Sequence, residues 1–349
     1  MKKLEAAIPA HLRVPRTRPL GADETFKPVS PSFSARFDPD VVTLVMAYFG
    51  VQYRVETEQA IAAVDRLKQG FSAPHKPSFW DMASYVDEAE YTNVIVVGYW
   101  DDAQEFHRWQ TGLTPDWWHA DASLDGDLGF FKECYTPGIA DTETTFSHPY
   151  PEGYSKIARG MSGETDTHGY WGSARDRLPR AQTEALEPTA ALKAGSEIRP
   201  ETRGRLVSIA PHENLCLLRS GQDWSDTEQQ ERDFYLREVK PFLDRGMLEI
   251  RDGGAGIGCF FNRYMTLLTE QGSTDKTYSL SAWHSLAAIE EWVQKETHLA
   301  IFRAGIQHYK TAGEGYKLRL YHEMSVLRAC DQQFEYFNCH RQTGMLNSV

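Results

Sequence analysis

Positive charge, cysteine and long apolar runs are all scarce in this chain. Against 49 Asp and Glu stand only 37 Lys and Arg, a net charge of −12 with a pI near 5.5. That argues against nucleic acid or an anionic membrane as partner, since both need clustered positive charge. The five cysteines among 349 residues, Cys134, Cys216, Cys259, Cys330 and Cys339, are scattered and odd in number. No disulfide framework follows, and a reducing, cytoplasmic compartment is expected. The longest apolar run, around Val41 to Val51, is too short to span a bilayer. Glu5 and Pro9 interrupt the N-terminus before a signal segment can form.

Several chemical signatures are missing as well. No Cys-x-x-Cys-His word exists, so a thioether-linked haem is excluded. No Gly-x-Ser-x-Gly elbow exists, and Ser220-Gly-Gln-Asp does not replace one. No His-x-x-x-His or Glu-x-x-His pattern on a helix marks zinc. The glycines of Asp252-Gly-Gly-Ala-Gly-Ile-Gly258 lack the following helix and Lys-Ser/Thr of a phosphate loop, and read as a turn between helix and strand.

What the chain does have is aromatic residues, 12% of the total. They suit a pocket for a flat apolar cofactor and equally suit any well-packed core. Residues 1–37 are rich in Pro, Arg and Ser and read as an extended arm. Val41–Tyr53 reads as a strand, Thr57–Phe71 as a helix, Asn93–Trp100 as a strand, and Asp101 to about Gln110 as a helix. The second half repeats this grammar: strand 214–219, helix 227–245, strands 257–268 and 277–283, then a helix from Ser285. Trp100 matches Trp283, Phe106 matches Ile289 and Trp109 matches Trp292, each 183 residues apart. An internal duplication is expected. The fold class is α+β: two ferredoxin-like halves, 38–146 and 205–349, whose sheets face each other in a barrel-like core. Between them, 147–204 is Pro-rich and, given its aromatic word, an ordered insertion or lid.

One stretch carries three histidines. His298 sits among Leu299, Ile301 and Phe302 and is expected to be buried. Beyond the Gly313-Glu314-Gly315 turn, Leu318, Leu320, His322, Met324 and Val326 alternate onto one strand face. An imidazole on an otherwise apolar face is either a hydrogen-bonded core residue or the edge of a site.

Leu318-Arg-Leu-Tyr-His322-Glu, His168-Gly-Tyr-Trp-Gly-Ser173 and Ser220-Gly-Gln-Asp-Trp224 together resemble the aldoxime dehydratases, haem enzymes that convert aldoximes to nitriles. Further matching words are Val97-Gly-Tyr-Trp100, Leu128-Gly-Phe-Phe131, Tyr336-Phe-Asn-Cys-His340 and Thr343-Gly-Met-Leu346. The words are rare, keep their order and cover most of the chain. The resemblance implies a haem b, ferrous when active, bound in the second half with His298 as axial iron ligand. It implies His322 as the distal acid and base, which at an unperturbed pKa of about 6.5 could give and take a proton near neutrality. It makes Ser220 a hydrogen-bond partner of the substrate hydroxyl, and Arg177 and Glu143 the groups that set and relay the proton of His322. Whether Arg175 or Arg177 faces the pocket stays open, because it depends on register. A homodimer is also implied. Two alternatives remain: a peroxidase or chlorite-dismutase-like haem oxidoreductase on the same duplicated fold, and a non-catalytic haem carrier or sensor.

Overall fold

The computed structural model of the chain describes residues 4–23, 25–123, 127–192, 199–313 and 315–349. Residues 1–3 and 24 of the arm, 193–198 of the insertion, and Glu314 in the expected turn lie outside them. The strands are β1 (Ala35–Arg36), β2 (Val45–Tyr53), β3 (Phe79–Val86), β4 (Thr92–Trp100), β5 (Gly129–Tyr135), β6 (Thr142–Phe146) and β7 (Gly160–Met161). They continue with β8 (Leu206–Ile209), β9 (Leu215–Asp223), β10 (Cys259–Thr269), β11 (Gly272–Trp283), β12 (Arg319–Leu327) and β13 (Gln332–Phe337). The helices are α1 (Glu58–Gly70), α2 (Ala103–Gly112), α3 (Ser173–Arg177), α4 (Gln229–Phe234), α5 (Lys240–Gly253), α6 (Leu286–Trp292) and α7 (Glu296–Ala312). A π-turn, Tyr235–Val239, joins α4 to α5. Among the described residues no helix is long and apolar enough to cross a membrane.

Local chemistry starts the helices where the sequence predicts. Thr57 accepts the Ala60 amide to begin α1, Asp102 accepts those of Gln104 and Glu105 to begin α2, and Ser285 accepts that of Ala288 to begin α6. Each satisfies amides that the first helical turn leaves without partners. Phe106 and Trp109 then form the buried face of α2, as Leu286, Ile289 and Trp292 form that of α6.

Eleven strands form one antiparallel sheet in the order β6-β12-β9-β11-β10-β3-β4-β2-β5-β13-β8. β2 to β5 lie as β3-β4-β2-β5 and β9 to β12 as β12-β9-β11-β10, so each run of four has its first and third strands at its centre. The runs join edge to edge where β10 pairs with β3. The sheet curls until its inner face meets itself: Arg263 on β10 reaches Glu133 on β5 at 2.6 and 2.7 Å, and Arg219 on β9 reaches Asp81 on β3 at 3.3 Å. A shared core lies between, with Tyr48, Ile95 and Phe131 from one run packed with Leu217, Met265 and Leu280 from the other.

The curl stops short of the expected barrel. The terminal strands β6 and β8 pair with inner neighbours only, so the sheet is open. The free edge of β6 is taken by the N-terminal arm: Phe33 and Phe146 exchange backbone hydrogen bonds at 2.9 and 2.8 Å, and the Ala35 amide donates to Thr144 Oγ1 at 2.8 Å. An edge satisfied this way has no groups left for closure.

A glycine in each run lies beneath an aromatic ring. A Cβ at Gly50 would fall 2.0 Å from Phe131 Cζ, and one at Gly221 would fall 2.1 Å from Tyr321 Cζ. These are register partners on adjacent strands, and the ring covers the bare backbone. Gly50→Ala is therefore expected to lose about 1–3 kcal/mol of stability through overpacking, read as a lower urea midpoint. An unchanged midpoint would mean that Phe131 can move aside.

The two outer faces differ. Over the first run, α1, α2 and the segment after Leu113 pack solidly. Trp109 packs edge-on or tilted among Phe49, Phe71 and Trp117 with ring centroids 5.5–5.8 Å apart. Over the second run, α5 and α6 pack on β9 to β12 through Leu243, Met247, Ile250, Trp283 and Ile289. α7 does not follow them down. Its main neighbours are α5 and the π-turn, and His308 is its only buried residue in 17.

Candidate active site

Register and alternation bring together three of the residues singled out in the sequence. His322 on β12 pairs directly with Ser220 on β9 and with Thr145 on β6. Paired residues point to the same side, so imidazole and hydroxyl emerge together on the outer face. Glu143, two residues before Thr145, shares that face one row along. Their neighbours Arg219 and Glu323 point to the inner face.

The His322 ring is exposed, yet it lies deep in the molecule. Burial, then the charges of Arg177 and His298, push its pKa down to about 4. This departs from the expectation of titration near neutrality: the ring is neutral at pH 7. The described residues offer neither it nor the Ser220 hydroxyl a side-chain hydrogen-bond partner.

His298 stands on α7, near enough for its charge to reach His322. The predicted helix from Ser285 is in fact two, broken between α6 and α7 without Gly or Pro. The break leaves the Val293 carbonyl at the end of α6 without a helical partner, and His298 Nδ1 meets it at 2.8 Å. A carbonyl only accepts, so Nδ1 carries the proton and, in the neutral ring that burial favours, Nε2 keeps its lone pair. Trp292 and Trp171 flank the ring, with centroids 4.7 and 6.3 Å away. His298 is half-buried rather than buried, because α7 stands off the sheet. The sequence did not signal Val293, since a backbone carbonyl leaves no mark in residue type.

The structure separates the two arginines. Arg177 grips Glu143 with two hydrogen bonds, Nε to Oε2 at 2.6 Å and Nη2 to Oε1 at 3.0 Å, and also donates to the Thr167 carbonyl at 2.9 Å. Arg175, two residues earlier on α3 and so on another side of it, pairs with Glu290 of α6 at 2.9 Å. Burial pushes the Glu143 carboxyl up and Arg177 partly restores it. Both side chains are almost fully enclosed, at 4% and 1% exposure. Removing one charge strands the other. Arg177→Met is therefore expected to cost about 3–5 kcal/mol in urea unfolding, with much of the loss recovered when Glu143→Gln is added. A double variant no more stable than the single one would deny the pairing its role.

An α7 imidazole with its lone pair left free by the bond to Val293, and a second imidazole on β12 near enough to feel its charge and without a hydrogen-bond partner among the described residues, suit a planar metal cofactor that needs one protein donor. A family described as haem-containing dehydratase matches residues 47–345, and this chain belongs to it. Within the family it is 40% identical to an aliphatic aldoxime dehydratase of Rhodococcus erythropolis, over 99% of this chain and 98% of that one. Identity is 28% to a phenylacetaldoxime dehydratase of Bacillus sp. (strain OxB-1), over 93% of each. A crystal structure of aldoxime dehydratase in complex with butyraldoxime superposes with a TM-score of 0.91 at 39% identity, covering 99% of this chain and 97% of that one.

The residues present fit a haem. Among the described residues no three His, Cys, Asp or Glu side chains converge into a metal cage. A macrocycle supplies its own in-plane ligands and asks the protein for a single axial nitrogen. Along α7, Leu299, Ile301 and Ile306 are only half-buried and Phe302 is exposed, leaving apolar surface for a flat apolar group.

Proposed function

We propose that this chain dehydrates aldoximes, R–CH=N–OH, to nitriles, R–C≡N, and water, using a haem b held through His298 Nε2. The observation that carries this reading is the pair of imidazoles within electrostatic reach of each other, His298 with its lone pair left free and His322 without a partner, with Ser220 the strand neighbour of the second. A ferrous haem held by His298 would supply the electron density that weakens the N–O bond. The chain's own residues do the rest. Ser220 donates a hydrogen bond to the oxime oxygen and fixes the direction of the N–O bond. His322, once protonated, is a strong acid toward the departing oxygen. The neutral ring then takes the hydrogen from carbon, which returns it to its protonated state, so water leaves with no net proton and no reductant consumed. Arg177 disfavours the charged ring and Glu143 offsets Arg177, so the pair tunes how readily His322 holds its proton.

The same reading treats 38–146 and 205–349 as duplicated ferredoxin-like halves, with 147–204 as a lid and 1–37 as an arm. In support, both runs share one strand order, and each lays an aromatic ring of its fourth strand over a glycine of its first. In support of the lid, Trp171 reaches over His298 and Phe302. A homodimer working in the reducing cytoplasm completes the proposal, and sedimentation tests the dimer.

The test is an anaerobic assay of dithionite-reduced, haem-loaded protein with an alkyl and an aryl aldoxime. Nitrile formation is expected with the reduced protein and not with the ferric one. If neither aldoxime yields nitrile while the ferric protein turns over peroxide or chlorite, the protein is an oxidoreductase. Haem binding without turnover makes it a carrier.

A further inference from the structure

Directly behind Ser220 and His322 lies a buried charged cluster that the reaction as described does not use. Arg219 and Glu323 are register partners on β9 and β12, one residue from the reacting pair and on the opposite face. Both are buried, at 3% and 1% exposure, with Arg219 Nε 4.0 Å from Glu323 Oε2. Arg219 also donates to Tyr321 at 3.2 Å and lies over the Tyr278 ring at 3.8 Å. Glu323 rests in a cradle formed by the insertion. The Ser155 amide and hydroxyl donate to Oε1 at 2.8 and 2.6 Å, and the Tyr154 amide donates to Oε2 at 3.2 Å. Gly153, at φ +56°, lets the backbone come this close, since a Cβ there would fall 1.9 Å from Oε2.

We propose that Glu323 is a positioning residue for the dehydration: it fixes β12 against β9 and the insertion, and its ionisation sets how strongly His322 holds a proton. The proposal rests on the reading of His322 as the acid and base. Burial pushes the Glu323 carboxyl up to about 7, with Arg219 and the Ser155 and Tyr154 donors opposing. Glu323 therefore changes charge near neutrality. The tyrosines around it do not imitate this. Tyr48, Tyr99, Tyr154, Tyr278 and Tyr321 are all pushed up by burial, away from neutrality. Asp81, also pushed up by burial, leans on Arg219. On its own face His322 meets the charge of Arg177 and the ring of His298, with Glu143 paired to Arg177. Side chains of successive strand residues leave opposite faces, so the two groups lie on the order of 10 Å apart. A unit charge at that range and an effective dielectric of about 20 alters proton affinity about tenfold.

The experiment compares the haem-loaded, reduced wild type with Glu323→Gln and Ser155→Ala from pH 6 to 9. At pH 6, where Glu323 is protonated, Glu323→Gln should match wild type in kcat. Above pH 7 it should fall behind by about tenfold, with KM for the aldoxime and haem content unchanged. Ser155→Ala removes a donor that favours the carboxylate, so its departure from Glu323→Gln behaviour should begin at higher pH than in wild type. Independently of turnover, the His322 ring proton signal in the diamagnetic, carbon monoxide-bound reduced protein should show a second inflection near pH 7. Glu323→Gln should lack it, and His322→Ala assigns the signal. If wild type forms no nitrile, the dehydration reading fails while this titration still tests Glu323. Parallel profiles for all three proteins, with only thermal stability lowered, or a titration unaltered in Glu323→Gln, would overturn the proposal.

Discussion

His298→Ala is expected to fold and to lack the haem absorption band. The variant removes an imidazole whose Nε2 lone pair is left free by the bond from Nδ1 to Val293. Apolar contact alone then holds the macrocycle, and α7 offers little enclosed surface for that, since His308 is its one buried residue. Far-ultraviolet circular dichroism should match wild type, because His298 is half-buried and its ring makes one hydrogen bond, to a helix end that water can satisfy instead. Added imidazole should restore part of the haem band by filling the space and supplying the missing donor. A variant that still takes up haem at one per chain would remove His298 from this role.

His322→Ala separates binding from chemistry. The haem band and the aldoxime-induced spectral change should persist, whereas kcat should fall by about 10²–10⁴-fold, the range for losing a positioned acid and base. Little structural loss is expected, because the ring faces open space and has no hydrogen bond to a described residue. Haem loss from this variant, with retention in His298→Ala, would exchange the two assignments. Because the ring is neutral at pH 7 with a pKa near 4, an assay at lower pH should show the steeper dependence on His322.

Much of this was legible in the sequence, and the gaps have physical causes. β2, β4, β9 and β12 announce themselves through apolar or alternating residues, and helix starts through Thr57, Asp102 and Ser285. β3 was missed because Asp81 and Ser84 interrupt its apolar content, and Asp81 serves an arginine 138 residues away that only the fold reveals. The break between α6 and α7 was missed because no Gly or Pro marks it, and the helical period runs straight through Val293. The placement of His322 beside Ser220 is a matter of strand register, which long-range pairing sets. Arg175 and Arg177 are the same residue type two positions apart, and only the turn of α3 assigns Glu143 to one and Glu290 to the other. Closure of the sheet was expected from the repeated grammar and fails because the arm occupies the β6 edge.

The contrast between the two outer faces has a mechanical consequence. Tryptophans wedge the helices of the first run against their strands, while α7 hangs over the second run from α5 and the π-turn like a shelf on brackets. Backbone fluctuations should concentrate in that shelf, so cofactor entry needs no hinge between halves: a rigid anvil on one flank leaves the opposite flank free to yield.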